Sequence, residues 1–185
     1  GSSLILSYLI AIPIGIYSAR KPYSIGDFAY STSALIIMAM PNFFVGMLLI
    51  FIFSVKLEWL PMSGMYSTNA SRSMIDLLAH LAMPVLCLAV QQIGNIMRHM
   101  RSDMLEVLSE DYIRTARAKG FRERRVVYTH ALRNALTPMI SLFSNSLPFL
   151  VGGAVVTEQV FSWPGIGMLM VNSITARDYP VIMGI

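Results

Sequence analysis

The sequence predicts an all-α, polytopic membrane protein, and three observations carry that prediction. Of its 185 residues, 55% are hydrophobic and only 13% charged, with a mean hydropathy of +0.61, more apolar side chain than a soluble domain of this size hides in one core. The apolar residues come in blocks of about the length, roughly 20 residues, that crosses a hydrocarbon core of about 30 Å. The basic residues collect on the segments between alternate blocks, as they do where orientation follows positive charge.

The first block, residues 3–19, ends at Arg20, Lys21 and Pro22. It is short for a span, no initiator Met precedes it, and the last block begins near Pro180 and stops at Ile185. The chain is therefore expected to be a fragment, about four full spans plus the start of another, incomplete at both ends. The second block, 28–55, contains Pro41, which packed neighbours are expected to accommodate inside one helix. Residues 56–73 are polar and carry Trp59, Pro61, Gly64 and Tyr66, the composition of an interfacial loop. The third block covers 77–97 with Pro84 inside it, and the fourth covers 136–156. A second polar stretch, 157–179, leads into the last block. Gly152, Gly153 and Ala154 are small enough to allow close helix packing.

Between the third and fourth blocks, residues 98–133 are strongly charged yet keep apolar residues at helical spacing, so they are read as a folded loop. Ser109 is expected to cap a short helix with Glu110 and Asp111 in its first turn. The helix runs to Lys119, with Arg117 and Lys119 in its last turn and Gly120 as a left-handed C-cap. A second helix from about Glu123 carries Val126, Val127 and His130 before Asn134 and Pro138 lead into the fourth block. Arg20, Lys21, Arg98, Arg101, Arg114, Arg117, Lys119, Arg122, Arg124, Arg125 and Arg133 lie on one side of the membrane, and Lys56, Arg72 and Arg177 on the other. Eleven against three places the first set, and with it the loop, in the cytoplasm. A basic amphipathic helix there either lies on anionic headgroups or is presented to a groove on a soluble partner.

Several function classes are excluded on the same grounds. The first, second and fourth blocks hold no Asp, Glu, Lys or Arg, whereas proton-coupled carriers and ion pumps place ionisable groups at membrane depth. Cys87 is the only cysteine and reads as a small core residue. His80, His99 and His130 fall on separate segments without ligand spacing, so no metal site is expected. No nucleophile–base cluster points to a catalytic residue. The net charge of +4 is explained by topology, and no nucleic-acid partner is expected.

The string "EDYIRTARAKGFRERRVVYTHALRNALTP" closely resembles the cytoplasmic coupling loop of binding-protein-dependent ABC importer permeases, in the branch that includes dipeptide, oligopeptide and nickel permeases. The general family marks this loop by Glu-Ala-Ala, a Gly and then Ile-x-Leu-Pro. The corresponding residues here are Arg114, Thr115 and Ala116, then Gly120, then His130, Ala131, Leu132 and Arg133, so Ala116, Gly120 and Leu132 match. "IPIGIYSARKPYSIGD", "MPNFFVGMLLIFIFS", "FSWPGIGMLM" and "ARDYPVI" extend the resemblance over nearly the whole chain.

The resemblance implies an ABC importer permease fold over 1–185, with a cytoplasmic coupling loop at 98–135, in the plasma membrane of a prokaryote. It implies a pathway for peptides, with nickel or another small solute as the alternative cargo; a non-transporting anchor or a membrane enzyme are the rivals from other classes. It implies ATPase contact through Glu110, Asp111, Tyr112, Arg114, Thr115, Ala116, Arg117, Ala118, Lys119, Gly120, His130, Leu132 and Arg133. It also implies an outer gate at Phe161, Trp163, Pro164, Gly165 and Gly167. The implied partners are a second homologous permease subunit, two cytoplasmic ATP-binding subunits, an external substrate-binding protein and the lipid bilayer. ATP and Mg would be bound by partner subunits, because no GxxxxGK[ST] phosphate loop surrounds Lys21, Lys56 or Lys119.

Overall fold

The computed structural model describes residues 1–67, 73–152 and 154–185, with side chains described outside 148–152. Regular structure among the described residues is helical throughout. The chain forms two compact units, one built from residues 1–3, 40–90 and 148–185, the other from 4–39 and 91–147. Two helices are long and apolar enough to cross a membrane, or three if one interrupted pair counts as a single span. Arg72 and Gly153, invoked above for orientation and close packing, lie outside the described residues.

The second unit begins with α1 (Ser2–Arg20) and α2 (Ile25–Ala39). Pro22 cannot extend α1, and the hydroxyl of Ser24 accepts from the backbone N–H of Asp27 at 3.2 Å, capping α2. α4 (Met74–Ser109) contributes its C-terminal part to this unit. The expected end of the third block at 97 is corrected, because the helix continues for three more turns. Buried Met100 and Met104, four residues apart, give that extension an apolar stripe, so charge at Arg98 and Arg101 does not end it. α1 and α4 approach closely at Gly15, where a Cβ would stand 2.8 Å from the Met100 side chain. After α5 (Asp111–Ala118), α6 (Glu123–Arg125), a π-helical segment (Val126–Ala131) and α7 (Leu132–Gly152) follow without a break. The expected separate helix before the fourth block is thus the start of one continuous run that contains Pro138. One core joins these elements, including Ala11, Ile16, Ile96, Met100, Ile113, Val127 and Met139.

The first unit contains α3 (Asn42–Leu49), extended in π form over Ile50–Lys56. The expectation of one helix through Pro41 is corrected: α2 stops at Ala39 and α3 restarts after Pro41, whose φ of −61° and ψ of 144° place it outside the helix. Proline lacks the N–H for the previous turn and pushes the residue before it out of helical geometry. The fourth block is also divided, with α7 ending at Gly152 and α8 (Val155–Val160) following; Ala154, at φ −102° and ψ 69°, is outside helical geometry. α9 (Ile166–Ala176) and α10 (Tyr179–Gly184) complete the unit. Its core is Val45, Met83, Cys87 and Phe161. Gly46 lets α3 approach α8, because a Cβ there would lie 3.0 Å from Val160 and 3.3 Å from Phe161.

Candidate functional site in the charged loop

Within the second unit, α5 follows α4 after a single residue, Glu110, which is extended. The expected Ser109 cap is corrected. Ser109 ends α4 and its hydroxyl donates back to the Glu106 carbonyl at 2.7 Å, because the stripe of Met100 and Met104 carries α4 through it. At the other end the expectation of a left-handed glycine holds: Gly120 has φ +78°. Phe121 N–H donates to the Ala116 carbonyl at 3.4 Å and Gly120 N–H to that of Arg117 at 2.9 Å, the paired bonds of a Schellman cap.

The short helix is two-faced. Ile113 and Ala116, three residues apart, are buried in the core. Asp111, Tyr112, Arg114, Thr115, Arg117, Ala118 and Lys119 are exposed, as are Glu110 and Gly120. Of the other predicted loop residues, Arg133 is exposed while His130 and Leu132 are half-buried. His130 stacks on Phe121 at 5.6 Å, and Arg125 sits 4.8 Å over the same Phe121 ring. Two side-chain contacts tie the helix to the segment after it. Arg117 donates twice to Glu123, at 3.1 and 2.8 Å, and Asn134 donates to the Tyr112 hydroxyl at 2.7 Å. The Arg117 guanidinium holds the Glu123 carboxyl below the usual carboxylate range.

Two residues that the sequence reading passed over hold the unit together. Asp27 is 3% exposed and accepts from Arg101 Nε and Nη2, both at 2.7 Å, from the Ser18 hydroxyl and from the Tyr23 N–H at 2.9 Å. One carboxylate therefore ties α1, α2 and the extension of α4. The available signal was that Asp27 is the only acidic residue before Glu58. Ile113 was equally legible, three residues before Ala116 on the same helical face.

In the first unit the predicted outer-gate residues form a tight hairpin between α8 and α9. Phe161 is 2% exposed and central to the core, Gly167 is buried, Trp163 and Gly165 are half-buried, and Pro164 is exposed. The organising residue is Glu158, whose Oε2 accepts from the Met168 N–H at 2.9 Å and so caps α9. Gly165 and Gly167 leave room for its carboxylate, which a Cβ at either position would crowd.

Comparison with known proteins places these features in a family. Residues 11–185 match the model of the binding-protein-dependent transport system inner membrane component. The chain is similar to the oligopeptide transport system permease protein AppB of Bacillus subtilis, 48% identical over 98% of this chain and 57% of the relative. It is also similar to the di/tripeptide transport system permease protein DppB of Pseudomonas aeruginosa, 42% identical over 91% of this chain and 55% of that protein. The dipeptide transport system permease protein DppB of Escherichia coli K12 is 37% identical over 98% of this chain and 60% of its own length. The chain thus spans less than two thirds of these curated relatives. With its helical blocks and a match over nearly its whole length, it belongs to the family of binding-protein-dependent transport system inner membrane components.

Proposed function

We propose that the intact protein is a membrane-spanning subunit of an ATP-driven peptide importer, and that α5 docks in a cleft on a cytoplasmic ATP-binding subunit. The observation that carries this reading is the build of α5. It is anchored inward by Ile113 and Ala116, held by the Arg117–Glu123 and Tyr112–Asn134 bonds, and offers Tyr112, Arg114, Thr115 and Lys119 outward. A helix in a groove binds through such a fixed face. Because α5 adjoins α4 directly and shares a core with the run that begins at Glu123, a displacement of α5 moves both long helices.

A soluble partner is supported over headgroups by the mixed charge of the outward face, where Glu110 and Asp111 stand beside Arg114 and Lys119, whereas a helix that lies on anionic headgroups is basic along its polar face. ATP and Mg belong to the partner subunits in this reading. A second permease subunit completes the pathway and an external binding protein delivers the cargo. Peptide is the cargo supported by the relatives, whose names specify oligopeptide, di/tripeptide and dipeptide transport.

The test uses the full-length subunit coexpressed with its ATP-binding partners. Copurification of those partners with the native loop, lost or much reduced in Gly120→Leu and in Arg114→Glu while membrane insertion persists, is the expected result. A Cβ at Gly120 would have no neighbour within 4 Å, but its φ of +78° strains any other residue there, so Arg114→Glu, on the exposed face of a helix, is the variant that separates loss of docking from loss of the turn. Undiminished copurification and peptide uptake in both variants would overturn the docking assignment.

A further inference from the structure

The run that follows α5 carries a basic cluster that the docking of α5 does not use. Arg122, Arg124 and Arg125, with Tyr128 and Thr129, line an open hollow of about 520 Å³ inside the second unit, and all five are exposed. The carboxylate between them in sequence, Glu123, is taken by Arg117. Among the described residues no acidic side chain pairs with Arg122, Arg124 or Arg125. One of the three is held in place, because Arg125 sits 4.8 Å over the Phe121 ring, which stacks on half-buried His130 at 5.6 Å.

The level of this cluster follows from α1. The apolar block of α1 ends at Ala19, and Ala19, Arg20, Lys21 and Pro22 line one hollow with Arg117 and Glu123. The start of the run is therefore level with the cytoplasmic end of a span, where headgroups lie. Three like charges close together there attract an anion. A guanidinium fits a phosphate through paired N–H donors, and the hydroxyls of Tyr128 and Thr129 add two more. A tyrosine ring suits the boundary between apolar and wet layers. The outward face of α5 differs, since it mixes Glu110 and Asp111 with Arg114 and Lys119; the run after it presents unpaired charge of one sign.

We infer that Arg122, Arg124 and Arg125, with Tyr128 and Thr129, form a site for the phosphate headgroup of an anionic phospholipid of the cytoplasmic leaflet. A lipid held there braces the run to which the Arg117–Glu123 bonds tie α5. Each arginine near the anionic surface is expected to tighten binding about fivefold.

The experiment uses the full-length subunit, with whatever partners copurify with it, delipidated in a neutral detergent and titrated with phosphatidylglycerol or phosphatidylcholine. A photoreactive Tyr128→p-benzoylphenylalanine variant reports lipid at the site by cross-linking. Phosphatidylglycerol is expected to cross-link in preference to phosphatidylcholine. Adding Arg122→Gln and Arg124→Gln is expected to raise the phosphatidylglycerol concentration for half-maximal cross-linking about 25-fold, fivefold for each arginine. Both arginines are exposed and unpaired, so the variant keeps the fold, the Arg125–Phe121 stack and the Arg117–Glu123 bonds. Equal cross-linking of the two lipids overturns the inference, as does an unchanged half-point in the arginine variant. So does an adduct with an ATP-binding subunit in place of lipid, which makes the cluster part of the docking surface. Full suppression by excess inorganic phosphate also overturns it, because the site then takes a free anion. Loss of the ATP-binding partners from the native subunit would count against the docking of α5 alone, since the lipid adduct is read without them.

Discussion

A Cβ added at Gly167 would stand 2.7 Å from the Cα of Val155, a backbone atom that cannot swing aside as a flexible side chain does. Gly167→Ala is therefore expected to destabilise the α8–α9 hairpin by roughly 1–3 kcal/mol. Gly184→Ala, with open space around it, serves as the neutral control. Thermal midpoints of the two variants in detergent check the contrast. Glu123 offers a second prediction at this scale. Arg117 lowers its pKa in the folded chain, so the pair's contribution is present above the ordinary Glu value of about 4.3 and is lost as pH falls through the depressed value. Both side chains are about half exposed, 42% and 51%, so the effect stays within about 1 kcal/mol. Stability of Glu123→Gln should match wild type at the acid end and fall slightly below it near pH 7. Equal stability at both pH values would show that the pair contributes nothing.

Among the elements, the extension of α4 depends on contacts that a residue count along one helix does not show. Asp27 and Arg101 are 74 residues apart in sequence and share two 2.7 Å bonds. Removing one partner of such a pair leaves the other charge poorly compensated, so Asp27→Ala is expected to cost roughly 3 kcal/mol. Replacing both, as Asp27→Leu with Arg101→Met, should cost less than the sum of the single changes. Thermal unfolding of the two singles and the double in detergent gives the coupling directly, and strict additivity would show that the pair is not an interacting unit. The break at Pro41 was marked in the sequence by its residue type. What was not marked was whether neighbours would absorb Pro41, as they absorb Pro84 within α4.

For the whole molecule, the charge count predicts an orientation in the membrane, and its consequence is measurable. A cysteine placed at the exposed Thr129 should be labelled by an impermeant maleimide only after the membrane is opened, while one at the exposed Ser162 should react in intact cells or spheroplasts. The native Cys87 is buried and adds little background. Labelling of both sites from the same side would contradict the orientation. Tyr112, Arg114 and Lys119, proposed above to meet the partner, fall on the exposed face of α5. The same loop string also contains Ala116, His130 and Leu132, which turn toward the protein.

The apolar blocks, the asymmetric basic segments and the left-handed turn at Gly120 follow from the sequence alone, because block length, net charge and backbone freedom are properties of local residues. The loop string was legible in the same way, as a run of adjacent residues. Tertiary structure alone decided that Asp27 serves Ser18 and Arg101, that Glu158 caps α9, and that α4 runs on to Ser109. Each of these depends on a partner distant in sequence or on burial against another helix, and a buried carboxylate is stable only where such donors converge on it.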